Sequence, residues 1–133
     1  METKSVEAEV LLRQLGGLGI QLSEAVNKLA DMDVLATGNG IVYQTAREDY
    51  EDLFAAAFRD ADGAVESRKA DARLACRSAR KLVEEASAEW ERSKARLRSQ
   101  QAVVRTITTR IEVGRSLLSH ERALMSLDGG YRT

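Results

Sequence analysis

Several residue types are scarce: the 133-residue sequence has no proline, one cysteine and only 5% aromatic residues. Without proline, no position forces a helix to kink or end. Aromatic rings usually supply much of a globular core, so this core must be built from Leu, Val, Ile and Ala. The single Cys76 excludes an internal disulfide and is typical of a reducing compartment. With 31% charged residues, the composition predicts one all-α unit of long helices with solvated outer faces.

Reactive side chains and membrane signals are equally sparse. His120 is the only histidine and no cysteine lies near it, so the ligand spacing of a metal site and a Cys-His pair are both missing. We therefore expect no catalytic residue, no metal, no cofactor and no enzymatic activity. No apolar run reaches the ~20 residues that span a bilayer, and the acidic N-terminus lacks the basic segment of a signal peptide. These absences favour a cytoplasmic location.

A heptad pattern runs through the N-terminal part of the sequence. Apolar or small residues recur there at alternating steps of three and four, which is the a/d pattern of a coiled coil. Eight uninterrupted steps predict a helix over about residues 3–35. The residues of this N-terminal seam are Ala8, Leu11, Leu15, Leu18, Leu22, Ala25, Leu29, Met32 and Ala36.

A short glycine-rich segment, Thr-Gly-Asn-Gly at residues 37–40, follows this seam. Glycine and asparagine tolerate the left-handed backbone conformation that ends helices. We therefore expect a tight turn at residues 37–40, after which the chain returns antiparallel to the first helix.

A second heptad pattern runs from Tyr43 to Leu118 with a few steps of four followed by four, and its positions include Tyr50, Leu53, Ala57, Ala79, Leu82 and Ala86. Such stutters locally unwind a supercoil without ending the helix. The pattern predicts one long or kinked helix over about residues 41–127, followed by a flexible tail at 128–133. The alternative is a break near Gly63 or near Ser87, which would give a three-helix bundle.

Three glycines at Gly16, Gly17 and Gly19 interrupt the first predicted helix. They are not a phosphate-binding loop, because no strand precedes them and Leu22 stands where the last glycine of that motif belongs. Each costs ~1 kcal/mol relative to alanine in a helix, so a compensating contact is expected. We predict close packing of another helix against these glycines, with a local kink as the alternative.

Charge is unevenly distributed, although the formal net charge is only −1. Residues 1–66 hold five basic and thirteen acidic side chains, whereas residues 67–122 hold fourteen basic and seven acidic ones. Either the basic half faces an acidic half, within the hairpin or between subunits, or it binds anionic lipid or nucleic acid. Interspersed glutamates and the lack of aromatic platforms besides Trp90 disfavour nucleic acid, whereas an anionic membrane surface remains an alternative partner. The basic residues that would face an anion are Arg73, Arg77, Arg80, Lys81, Arg92, Arg96 and Arg98.

Together these patterns predict an elongated antiparallel coiled-coil hairpin. If the first helix ends near residue 35, the distal part of the second has no partner within the chain. Its apolar residues must then be covered by a second copy, most simply in a dimer, or by another helical protein. The function expected from this is non-enzymatic assembly, as a scaffold, adaptor or structural component. The expected interface residues are Leu97, Val103, Val104, Ile107, Ile111, Leu117 and Leu118.

Two other functions fit the same pattern. A basic-faced helical module would bind anionic membrane or nucleic acid. Helical hairpins of this size also serve as stalks of secretion apparatus and as chaperones of other coiled coils. That last comparison rests on shape alone, because the sequence contains no family motif.

Overall fold

A computed structural model describes residues 2–130, with side chains from Val6 to Leu127, and within this range every regular element is a helix. One arm is α1 and the other is α2 followed by α3, so the chain is an all-α helical hairpin, which confirms the predicted fold class. The helices are α1 Glu2–Asp60, α2 Val65–Ala75 and α3 Arg77–Gly130.

The chain reverses direction at residues 61–64, where Gly63 has a φ of +104°. Glycine adopts this conformation readily, whereas an L side chain is strained in it. The Arg68 side chain ties the two arms together beside the turn, because its Nη2 donates a hydrogen bond of 2.9 Å to the Phe58 carbonyl. The guanidinium carbon also lies 4.3 Å from the centroid of the Phe58 ring. The turn therefore falls at one of the two alternative break sites in the sequence.

The predicted turn at residues 37–40 is wrong, because α1 passes through this segment without interruption. Glycine and asparagine permit a turn but do not require one, and Gly63 is the only residue with positive φ in the described part of the chain. Packing offsets the helix penalty of Gly40, since a Cβ atom there would lie only 2.9 Å from Trp90 Nε1. The Asn39 amide donates a hydrogen bond to Ser93 Oγ on α3.

The second arm is nearly continuous. Cys76 separates α2 from α3, yet its N–H donates to the Ala72 carbonyl at 3.0 Å and its own carbonyl accepts from Arg80 N–H at 2.9 Å. Ser87 lies inside α3, so the alternative break there does not occur and no three-helix bundle forms. The predicted tail at 128–133 begins inside α3, which extends to Gly130, and residues 131–133 lie outside the described residues.

Contacts between the arms divide the chain into two compact units. The terminal unit comprises Met1–Ala30 and Ser99–Thr133, and the middle unit is Asp31–Arg98.

The core of the terminal unit is formed where α1 packs antiparallel against α3. Ala25, Ile107 and Ile111 form a buried cluster. Gln100 is also buried, and its Nε2 donates a hydrogen bond of 3.0 Å to the Ala25 carbonyl. A carbonyl oxygen has a second lone pair for this bond even inside a helix. The partly buried residues around the cluster are Leu15, Leu18, Leu22 and Val104.

The core of the middle unit is thinner and consists of smaller residues. Its buried residues are Ala36, Ala72, Cys76 and Ser93. Tyr43 stacks on Trp90 with ring centroids 5.3 Å apart, which supplies the largest aromatic contact between the arms.

The N-terminal seam is confirmed, because all nine of its residues are buried or half-buried. Two positions farther along differ from the predicted pattern: Phe54 and Val83 are half-buried, whereas the predicted Leu53 and Leu82 are exposed. The difference is local, because Tyr50, Ala57, Ala79 and Ala86 on either side are half-buried as the pattern predicts. The two leucines are left on the surface.

Candidate interaction surfaces

The residues expected at an intermolecular interface divide into two groups. Ile107, Ile111 and Leu118 are buried within this chain, and Leu97 and Val104 are half-buried. The expectation that a second chain must cover all of these residues is wrong. α1 is longer than expected, and its residues pack on Ile107 and Ile111. The second group remains available for a partner: Val103 and Leu117 are 45% and 50% exposed.

The three glycines near the start of α1 face open space. A Cβ atom added at Gly16, Gly17 or Gly19 would meet no other atom within 4 Å. The predicted close packing is therefore not made within the described part of the chain, and it stays a prediction for a partner chain. Val10 and Ile20, which lie near these glycines in the sequence, are exposed as well.

The seven predicted basic residues are all exposed. Two of them pair with glutamates on their own helix: Arg80 Nε lies 3.3 Å from Glu84 Oε1, and Arg92 Nη2 lies 2.7 Å from Glu89 Oε2. Every ion pair among the described residues joins side chains three or four positions apart, and none joins α1 to α3. The acidic charge of α1 and much of the basic charge of α3 thus remain free to meet another chain.

An apolar groove of about 460 Å³ lies between the arms of the middle unit. Val42, Leu53 and Leu82 form its walls and are 58%, 53% and 61% exposed. Its alanines are half-buried and form its floor, and Asp49 is exposed at its edge. We call this the acidic groove, which is lined by Ile41, Val42, Thr45, Ala46, Asp49, Leu53, Ala79, Leu82 and Ala86.

A second apolar feature lies on α3 in the terminal unit. Val103, Val113 and Leu117 are 45%, 54% and 50% exposed. They belong to a set spaced by alternating steps of three and four residues, offset from the set that packs on α1. We call it the outer stripe, and its residues are Val103, Thr106, Arg110, Val113 and Leu117.

Sequence reasoning does not identify the acidic groove, and of the outer stripe it identifies only Val103 and Leu117. The acidic groove begins at Ile41, directly after the segment expected to be a turn, and a turn there hides the fact that its residues lie on the outside of a continuous helix. The outer stripe is visible in the sequence as a second heptad phase. A single phase, containing Val104, Ile107 and Ile111, does not account for it.

A larger groove of about 720 Å³ lies beside Trp90 in the middle unit. Its aromatic and charged side chains already contact one another: Tyr43 stacks on Trp90, and Arg47 Nε lies 3.2 Å from Glu51 Oε1. Lys94 Nζ also lies 3.9 Å from the Trp90 ring centroid. The acidic groove, whose walls are apolar and uncovered, is therefore the stronger candidate for an interaction site.

Three further observations bear on function. Within residues 2–130, no three His, Cys, Asp or Glu side chains are grouped so that they would hold a metal ion. None of the helices in this range combines the length and the apolar composition needed to cross a membrane. No protein-family model, curated protein or solved structure matches this chain.

Proposed function

We propose that this chain is a non-enzymatic assembly protein that self-associates through contacts between its helices in the cytoplasm. The observation that carries the proposal is the acidic groove, whose three large apolar walls are all more than half exposed. Uncovered apolar patches of this kind mark interaction sites. The buried, unpaired Cys76 supports a reducing compartment.

Light scattering on the full chain tests this proposal. A single chain has a mass of 14.7 kDa, and we expect the measured molar mass to exceed this value and to rise with micromolar protein concentration. The Leu74→Glu variant is the control and should associate like the wild type. Leu74 is exposed on α2 and lies outside the acidic groove and the outer stripe. A monomeric mass at every concentration would rule out self-association as the function.

A second candidate function is the binding of anionic lipid or nucleic acid by the basic residues of α2 and α3. It is favoured by the fact that Arg96 and Arg98 are exposed and, among the described residues, form no ion pair. Multiple positive charges on one surface attract polyanions through long-range electrostatics.

We expect this second activity to be weak. Binding to duplex DNA or to anionic vesicles should disappear near ~0.15 M salt, where the Debye length is ~8 Å. The Arg96→Glu/Arg98→Glu double variant should then bind no less than the wild type at that salt. Binding that persists at this ionic strength, and that the double variant loses, would favour the second function over assembly.

A further inference from the structure

We propose that copies of this chain associate head to tail, with the outer stripe of one copy seated in the acidic groove of the next. The proposal rests on the proposed function of self-association and adds the two surfaces that meet. It is carried by the exposure of both surfaces, by their residue spacing and by their opposite charge.

The acidic groove has the form of a receptor for a helix. Its floor consists of Ala46, Ala79 and Ala86, whose short side chains allow a third helix to approach both arms. Packed helices lie with axes 8–10 Å apart, and small residues at the contact bring them closer. Val42, Leu53 and Leu82 stand on either side of this floor and would cover the flanks of an inserted helix.

The outer stripe has the form of a helix that fits such a groove. A helix docked in a groove presents anchors at spacings of three, four and seven residues. Val103, Val113 and Leu117 fall on this pattern, and all three are about half exposed. α1 packs against the offset set containing Ile107 and Ile111. Val113 and Leu117 lie beside that contact, where they line an open groove of about 400 Å³ together with α1 residues such as Leu15, and a second chain is able to reach the stripe along this edge.

The charges of the two surfaces are opposite in sign. Asp49 is the one charged residue that lines the acidic groove, and Arg110 is the one charged residue of the outer stripe. Glu48 and Glu51, which are close to Asp49 in the sequence, line the groove beside Trp90 instead. Opposite potentials of this kind favour encounter and oppose wrong pairings.

The same charges disfavour contacts between like surfaces. Two acidic grooves placed face to face would oppose their Asp49 carboxylates, and two outer stripes would oppose their Arg110 guanidinium groups. A contact between unlike surfaces either closes into a two-fold dimer, in which each copy seats the stripe of the other, or repeats head to tail, so that each added copy keeps one free groove or one free stripe. Head-to-tail association therefore predicts masses above two chains that rise with protein concentration.

Two variants and their mixture test the proposal. Leu82→Glu places a carboxylate in the wall of the groove, and Val113→Glu places one in the stripe. Both positions are exposed, so each variant should retain its far-UV circular dichroism and thermal transition. We expect each variant alone to associate about tenfold more weakly or worse than the wild type, which corresponds to ~1.4 kcal/mol.

The mixture distinguishes a contact between groove and stripe from contacts between like surfaces. The mass of the wild type distinguishes head-to-tail association from a closed dimer, and a wild-type mass that stops at two chains would overturn the head-to-tail contact. A groove variant keeps an intact stripe, and a stripe variant keeps an intact groove, so an equimolar mixture should form a dimer with the mass of two chains and nothing larger. A wild type that associates, together with a mixture that stays monomeric, would overturn the head-to-tail contact while leaving the proposed function standing. A monomeric wild type would overturn both.

Discussion

The Ile107→Asp variant is expected to lose most of its helical circular dichroism under conditions in which the wild type is folded. Ile107 is 8% exposed and belongs to the buried cluster with Ala25 and Ile111. An isolated charge in such a place costs several kcal/mol or forces the carboxyl group to stay protonated. Because domains are typically stable by only ~5–15 kcal/mol, this loss is large. Urea titration monitored by circular dichroism measures it.

Ile20→Asp is the matched control for this prediction. It makes the same chemical change in the same unit, but Ile20 is 64% exposed on α1, so the new carboxylate stays hydrated. We expect its unfolding midpoint to remain close to that of the wild type. If the unfolding midpoint falls equally in the two variants, the burial of Ile107 against α1 does not hold the terminal unit together.

Two glycines only two positions apart in α1 should respond in opposite directions to alanine. Gly38→Ala should stabilise the protein by ~1 kcal/mol, because the new methyl group meets no atom within 4 Å and alanine has the higher helix propensity. Gly40→Ala should destabilise it by ~1–3 kcal/mol through overpacking. Its Cβ atom would lie 2.9 Å from Nε1 and 3.1 Å from Cε2 of Trp90, whose rigid ring is stacked on Tyr43.

Thermal unfolding of the two alanine variants beside the wild type gives the comparison. The melting temperature should rise for Gly38→Ala and fall for Gly40→Ala. If Gly40→Ala melts at or above the temperature of Gly38→Ala, the contact between Gly40 and Trp90 is not the reason that glycine occupies this position.

The periodicity of the sequence was sufficient to predict the inward-facing side of α1 from Ala8 to Ala36. It did not locate the turn, since Gly38 and Gly63 are both compatible with the end of a helix. The choice between them depends on contacts with residues far away in the sequence, such as Trp90 and Ser93, which are visible only once the arms are paired. Local propensity cannot supply that information.

The misplaced turn also explains the error at the predicted interface. With a turn at residues 37–40, Ile107 would have no counterpart on the first helix and would need a second chain. With the turn at residues 61–64, Ile107 lies in one cluster with Ala25. The residues left for a partner are those outside this pairing, namely Val103 and Leu117 of the predicted interface, together with the groove that Leu53 and Leu82 line.

Two antiparallel helices with small or aliphatic residues at every third or fourth position are able to slide by seven residues and still match apolar with apolar. Gln100 makes such a slip unfavourable, because its buried amide would leave the Ala25 carbonyl and lose ~1–3 kcal/mol if unsatisfied. In the middle unit, the same slip would break the hydrogen bond from Asn39 to Ser93. A chain whose arms first pair out of register is thus destabilised in each unit separately, and it must reopen before it reaches the native alignment.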